Sequence, residues 1–224
     1  MGSSYSRGEL VTRLGGTGRL ADDLYLMAHH EITGKPHLQP RAIGLGLAGG
    51  LLAELMLLGK IRIRPEGFVV ADRTPPGDEL ARSVLALVLS EHERHAAQRW
   101  LLFLARTAAA DVAGRLEQSG YLTRTAARRP WRAERWVPVD ADCAFAPLVR
   151  VRSVLSASQP VAVQSAALAG LATACGLGHQ LSMYLPPNAR PRLDEAAGQL
   201  DPGLRDLIAQ TRAAVDSALL SHRV

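Results

Sequence analysis

The sequence is poor in the residues that build disulfide frameworks, multi-cysteine metal sites and membrane spans. It has two cysteines, Cys143 and Cys175, among 224 residues, which is too few for a disulfide scaffold or a multi-cysteine zinc site. Its most apolar run, residues 42–58, contains Glu54 and is shorter than the roughly 20 residues that cross a bilayer. The first ten residues contain no apolar segment, so we predict no secretory signal and a cytoplasmic protein.

Motifs for catalysis or cofactor binding are also missing. Residues 44–49 read GLGLAG, but a dinucleotide-binding loop with this glycine spacing follows a β-strand, and the preceding KPHLQPRA contains two prolines. We interpret these glycines as positions where a helix packs closely. His92 and His95 lack a third metal ligand, and Cys175 with His179 lacks an oxyanion-stabilising element. The sequence therefore predicts a protein that is not an enzyme and needs no cofactor or metal.

Positive charge is in excess, and much of it lies in one segment. The chain has 26 Lys and Arg against 21 Asp and Glu, a formal net charge of +5. Residues 124–136 hold five arginines against one acid, Glu134, with Trp131 and Trp136 interleaved. Arginine binds phosphates bidentately, and Trp prefers the boundary between water and hydrocarbon. The predicted membrane-contact residues are Arg124, Arg128, Arg129, Trp131, Arg132, Arg135 and Trp136.

Two other interpretations of these arginines stay open. They are consistent with a solvated hairpin whose arginines pair with acids elsewhere on the surface. They are also consistent with a protein that binds the phosphates of nucleic acid, although no recognition helix rich in Arg, Lys, Asn or Gln is evident.

The spacing of apolar residues predicts a single, mainly α-helical domain with two β-hairpins. Residues 1–18 are expected to be a flexible N-terminus, followed by one globular domain over 19–224. Pro186, Pro187 and Pro191 predict a connection before the last helix. The predicted helices cover 19–32, 42–58, 78–88, 96–116, 147–156, 160–176 and 201–221, and the hairpins 61–70 and 122–139.

Three segments resemble the Golgi phosphoprotein 3 family. They are LADDLYLMAHHEITGKP (20–36), GLAGGLLAELMLLGKIRI (46–63) and RLEQSGYLT (115–123). The likeness extends over about residues 19–221, and the composition suggests a bacterial, actinobacterial relative. The resemblance implies a mainly α-helical domain with a long, protruding β-hairpin that aids membrane contact or oligomerisation. It also implies peripheral membrane binding through phosphatidylinositol 4-phosphate.

The resemblance gives expectations for the lipid site as well. A Trp and an Arg near the second helix, and two Arg on a later helix, form the family's head-group site. Those positions fall on Gln39, Ala48, Arg106 and Ala109 in this sequence, so only Arg106 matches. Arg41, near the start of the same helix as Ala48, is a candidate substitute charge.

The sequence as a whole predicts a non-catalytic, peripheral protein that binds anionic phospholipid head groups at the inner face of the membrane. Arg106 and Arg41 are the predicted head-group ligands. The alternatives are a nucleic-acid-binding regulator that uses the same basic surface, and a protein-binding adaptor that self-associates through the hairpin.

Overall fold

The computed structural model describes residues 16–91, 95–125, 135–156, 160–184 and 189–220. In this part of the chain the fold consists of ten helices and two separate two-stranded sheets. The helices are α1 (Leu20–Met27), α2 (Pro40–Leu57), α3 (Glu79–Ser90), α4 (Ala97–Leu104), α5 (Ala108–Gln118), α6 (Ala141–Ser156), α7 (Val163–Cys175), α8 (Gly178–Tyr184), α9 (Ala189–Gly198) and α10 (Pro202–Leu220). The strands are β1 (Ile61–Arg64), β2 (Gly67–Val70), β3 (Leu122–Thr125) and β4 (Arg135–Pro138).

Helix α2 forms the centre of the core. It is apolar on all sides, as expected of a helix surrounded by other helices, and α1, α4, α5, α7 and α10 all pack against it. Among the described helices it is the one long and apolar enough to cross a membrane, but 78% of it is buried inside the fold. The structure therefore uses this apolar run as a core helix.

The glycines of α2 allow its neighbours to approach closely. A β-carbon at Gly46 would collide with the Sγ of Cys175 in α7, and one at Gly50 would lie 3.0 Å from the Cα of Ala21 in α1. The predicted role of residues 44–49 as packing glycines is confirmed, since they lie within the helix and no β-strand lies between α1 and α2.

Both hairpins are antiparallel. In the first, Ile61 pairs with Val70 and Arg64 with Gly67, whose φ of +128° is accessible to glycine. In the second, Leu122 pairs with Pro138 and Thr125 with Arg135. Residues 126–134, which connect β3 to β4 in the sequence, lie outside the described residues.

Three predicted helix boundaries are wrong. The helix predicted over 147–156 begins at Ala141, because the side chain of Asp140 accepts a hydrogen bond from the N–H of Cys143 and caps the helix there. The first helix ends at Met27 because the chain turns back there: the N–H of His37 donates to the carbonyl of Ala28. The helix predicted over 96–116 is divided into α4 and α5 by a tight turn. In that turn the N–H groups of Arg106 and Thr107 donate to carbonyls only three residues back, at Phe103 and Leu104.

The connection predicted from Pro186, Pro187 and Pro191 is wrong in part. Helices α8 and α9 occupy 178–184 and 189–198. Buried Leu181 and Ala196 anchor these two short helices to the core. Packing of apolar side chains outweighs the low helix propensity of the segment.

Candidate anion-binding surface

A buried cluster of charged side chains joins helices α1, α2 and α5. The guanidinium of Arg115 donates to the Oδ1 of Asp22 at 2.8 Å, to the Oε2 of Glu54 at 3.1 Å and to the Oδ2 of Asp78 at 2.9 Å. Glu54 also accepts a hydrogen bond from the backbone N–H of Ala21 at 2.8 Å. This cluster sets the position of α5 against the core, and therefore that of the turn that precedes α5.

The cluster contains more carboxylates than guanidinium groups. Arg19 adds a second positive charge, 3.7 Å from the Oδ2 of Asp22 and 3.5 Å from the Oδ1 of Asp78. Burial raises the pKa of Asp22 to about 7, although the nearby Arg115 opposes the shift. The Oδ2 of Asp22 has no hydrogen-bond partner, so a proton there would displace no existing hydrogen bond.

The two predicted head-group residues lie in segments that meet at the N-terminal end of α2. Arg41 lies in the first turn of α2, and Arg106 lies in the turn between α4 and α5. Gly44, one helical turn after Arg41, packs directly on this second segment, since a β-carbon there would lie 2.6 Å from the carbonyl oxygen of Ala105. The contact between Gly44 and Ala105 brings together residues that are far apart in the sequence.

The start of α2 is electropositive for a second reason. The N-cap residue, Gln39, makes no side-chain capping hydrogen bond, and Pro40 occupies the first turn. The unbonded N–H groups at a helix N-terminus carry partial positive charge and attract anions. Arg41 and Arg106 are exposed and form no ion pair with an acid of the described part of the chain. This surface can therefore bind a phosphate group.

The other positions implied by the resemblance carry no charge here, and their environments differ. Ala48 is completely buried in the core, while Ala109 is half-buried. A charged side chain at position 48 would have no route to solvent in this packing. Of the four positions that the resemblance implies, Arg106 is the one that carries a charge in this sequence.

The base of the second hairpin forms a compact local arrangement. The Nε of Arg124 lies 3.1 Å from the Oε2 of Glu117, and its guanidinium lies 5.0 Å from the centre of the Trp136 ring. The indole N–H of Trp136 donates to the same oxygen at 3.4 Å. Arg135 is exposed in β4. Arg124 and Trp136 therefore interact with each other and with Glu117 at the root of the hairpin.

Four hairpin residues of the predicted membrane contact lie outside the described residues: Arg128, Arg129, Trp131 and Arg132.

Helix α5 separates Arg106 from the hairpin along the chain. Its 11 residues correspond to a length of about 16 Å.

Cys175, the sequence candidate for nucleophile chemistry, is buried in the core. Burial raises the pKa of the Cys175 thiol to about 12, which disfavours the thiolate. Within the described ranges no group of three or more His, Cys, Asp or Glu side chains is placed to hold a metal ion. His92 lies outside those ranges.

A model of one protein family matches most of the chain. It is described as Golgi phosphoprotein 3 (GPP34), and it matches residues 20–211, from the first residue of α1 to the middle of α10. Comparison with curated proteins finds no match. The matched region includes Arg41, Arg106 and both hairpins.

Proposed function

This chain belongs to the Golgi phosphoprotein 3 family, and we propose that it is a non-catalytic peripheral membrane protein that binds the head groups of anionic phospholipids. The observation that carries the proposal is the convergence of the Arg41 and Arg106 segments beside the uncapped N-terminus of α2. The family membership supports the same conclusion.

The chemistry of these groups suits a phosphate ligand. Guanidinium groups donate two parallel hydrogen bonds to phosphate oxygens, and the helix N-terminus adds favourable electrostatic interaction. A phosphomonoester carries close to two negative charges at neutral pH, whereas a phosphodiester carries one. Two arginines and a helix N-terminus therefore favour a head group with a monoester, such as phosphatidylinositol 4-phosphate.

The second hairpin would supply additional attraction to the membrane. Each basic side chain near an anionic leaflet contributes about 1 kcal/mol, and five arginines lie between positions 124 and 135. Such a surface fits the anionic, inner face of a membrane.

Vesicle flotation tests the head-group site. The probes are phosphatidylcholine vesicles with phosphatidylinositol 4-phosphate, with phosphatidylglycerol, or with neither. We expect binding to the anionic vesicles, strongest with the phosphomonoester at equal vesicle charge. The double variant Arg41→Ala/Arg106→Ala should bind roughly 10- to 30-fold more weakly, because two charges are removed from the contact.

The control is Arg152→Ala/Arg205→Ala, which removes the same charge from two exposed arginines of α6 and α10. Equal losses in both double variants would indicate a diffuse charge effect and contradict the head-group site. Binding to duplex DNA at physiological salt without binding to any vesicle would favour the nucleic-acid alternative instead.

A further inference from the structure

Helix α4 exposes two large apolar side chains next to Arg106. Leu102 is 44% exposed and Phe103 is 50% exposed, while the opposite face of the helix, with Trp100, Leu101 and Leu104, is buried. A soluble helix normally places polar side chains on its outer face. This adjacent pair of apolar side chains lies where charged or polar residues are expected.

The charged residues that flank this pair along the chain, from α4 to the turn after it, are arginines. Arg99 precedes it by about one helical turn, and Arg106 follows it in the turn after α4. Both arginines are exposed, and the sequence contains no acid between Glu93 and Asp111. Glu91, at the end of α3, lies 3.6 Å from the Nε2 of His95. An anionic surface is complementary to the two arginines of this face.

The exposed ring of Phe103 packs against a buried side chain of the same helix. It packs edge-on against buried Trp100, with ring centres 6.1 Å apart and planes at 89°. Leu87 of α3, 39% exposed, lines a small cavity with Arg99, Trp100 and Phe103. The polar side chains of Ser90, Glu91 and His95 complete the lining of this cavity. The apolar patch thus extends from α4 to α3, where it borders polar side chains, and Trp100 holds the ring of Phe103 in one orientation.

We propose that the outer face of α4 is a membrane-inserting element, in which Leu102 and Phe103 enter an anionic bilayer beside the head group held by Arg106. Arg99 and Arg106 would remain at the level of the lipid phosphates, because long arginine side chains keep their charged ends at the interface. The proposal rests on the proposed function and adds an apolar contact to the electrostatic one.

An apolar contact beside the charges changes how the protein responds to salt. Electrostatic attraction to a membrane is screened by salt, but burial of apolar side chains is not. A protein with both contacts retains part of its vesicle binding at high salt. A protein that binds through arginines alone is released from the vesicles at high salt.

The decisive variant is Leu102→Gln/Phe103→Gln, which removes the apolar pair without changing charge. Both side chains are about half exposed, so we expect a modest fall in melting temperature and a variant that is fully folded at the temperature of the binding assay. On phosphatidylcholine vesicles with phosphatidylinositol 4-phosphate the variant should bind about tenfold more weakly or worse, since affinity scales with buried apolar area. Its residual binding should disappear at high salt.

The matched control is Leu57→Gln/Leu58→Gln, which changes a second pair of adjacent apolar side chains of similar exposure, 40% and 55%. This pair lies at the far end of α2 from Arg41, about 25 Å away along the helix. Its vesicle binding should equal that of the wild type. Equal loss in both variants would indicate general surface hydrophobicity and overturn the proposal.

Insertion is measured directly with an environment-sensitive fluorophore. Cys143 and Cys175 are both buried, so a single introduced cysteine can be labelled selectively. A label at Leu102→Cys should shift to shorter emission wavelength on vesicles and be quenched by spin-labelled acyl chains. A label at Leu57→Cys should do neither.

The outcomes separate this proposal from the proposed function. If Arg41→Ala/Arg106→Ala loses binding while Leu102→Gln/Phe103→Gln keeps it, head-group binding stands and insertion through α4 is wrong. If the wild type binds none of the vesicles, both are wrong.

Discussion

Asp22 is the residue whose charge is hardest to accommodate in this fold. It is 1% exposed and shares Arg115 with two other carboxylates, Glu54 and Asp78. Taking a carboxylate out of water favours its neutral form, and here that effect exceeds the attraction of Arg115. The resulting pKa of about 7 places the protonation of this buried group near neutral pH.

Stability should consequently depend on pH through Asp22. The folded pKa, about 7, lies above the unfolded value of 3.8, so the folded state binds more protons between these values. The contribution of Asp22 to the free energy of unfolding is fully present below pH 3.8 and is lost as the pH rises to about 7. The slope is at most about 1.4 kcal/mol per pH unit.

The predicted pH dependence is tested by urea denaturation of the wild type and of Asp22→Asn at several pH values. Burial lowers the pKa of His29 and His37, which acts in the opposite direction, so the difference between the two proteins is the informative quantity. From pH 5 to pH 8 the wild type should lose stability relative to the variant. A difference independent of pH contradicts the assignment, and Asp206→Asn in exposed α10 sequence provides the control.

At the scale of elements, the central helix depends on residues with no side chain. Gly46 faces the thiol of Cys175, which is itself buried and donates to the carbonyl of Leu171. The thiol has little freedom to move aside. Close packing of α2 against α7 is thus possible only because position 46 carries no β-carbon.

Gly46→Ala is therefore expected to destabilise the protein by about 1–3 kcal/mol, the usual cost of overpacking a core. The same substitution at Gly114 in α5 meets open space. There we expect a gain of up to about 1 kcal/mol, because alanine favours the helix over glycine. Denaturation midpoints of the two variants give the comparison, and a gain of stability in both would show that helix propensity rather than packing dominates at position 46.

At the scale of elements, the break between α4 and α5 also determines where Arg106 lies. The predicted continuous helix over 96–116 would have no turn at this point. The turn at 105–107 instead exposes Arg106 and seats the carbonyl of Ala105 against Gly44.

At the scale of the whole molecule, the proposed membrane contacts are three separate regions of the surface, each of which carries positive charge or exposed apolar side chains. They comprise the arginines at the start of α2, the apolar face of α4, and the second hairpin beyond α5. Contacts of modest individual strength combine when a rigid domain presents them together, since the first contact raises the effective concentration of the others.

The hairpin contribution can be removed without disturbing the core. Thr125 pairs with Arg135, so residues 126–134 can be replaced by Asn-Gly, a pair that closes a tight turn between antiparallel strands. The variant should melt like the wild type. It should bind anionic vesicles about 2 kcal/mol more weakly, because it loses three arginines and one glutamate.

Light scattering on the same variant tests the adaptor alternative. An unchanged number of chains per particle, accompanied by weaker vesicle binding, supports a membrane role for the hairpin. A fall in mass with unchanged vesicle binding would assign the hairpin to self-association and contradict its role at the membrane.

The sequence alone determined the fold class, most helix positions and both hairpins, because apolar periodicity and the placement of glycine and proline are local properties. The family came from the resemblance of three segments, and the family model that matches residues 20–211 confirms it. It also identified two candidate head-group ligands: Arg106 by family resemblance, and Arg41 by its position near the start of the second helix.

The pairing of Arg115 with Asp22, Glu54 and Asp78 was decided only by the tertiary structure. These partners lie 93, 61 and 37 residues away, and no local pattern specifies which distant charges meet. The exposure of Leu102 and Phe103 has the same origin. An amphipathic pattern shows that a helix has a buried face, but the packing of its neighbours decides which apolar side chains remain uncovered.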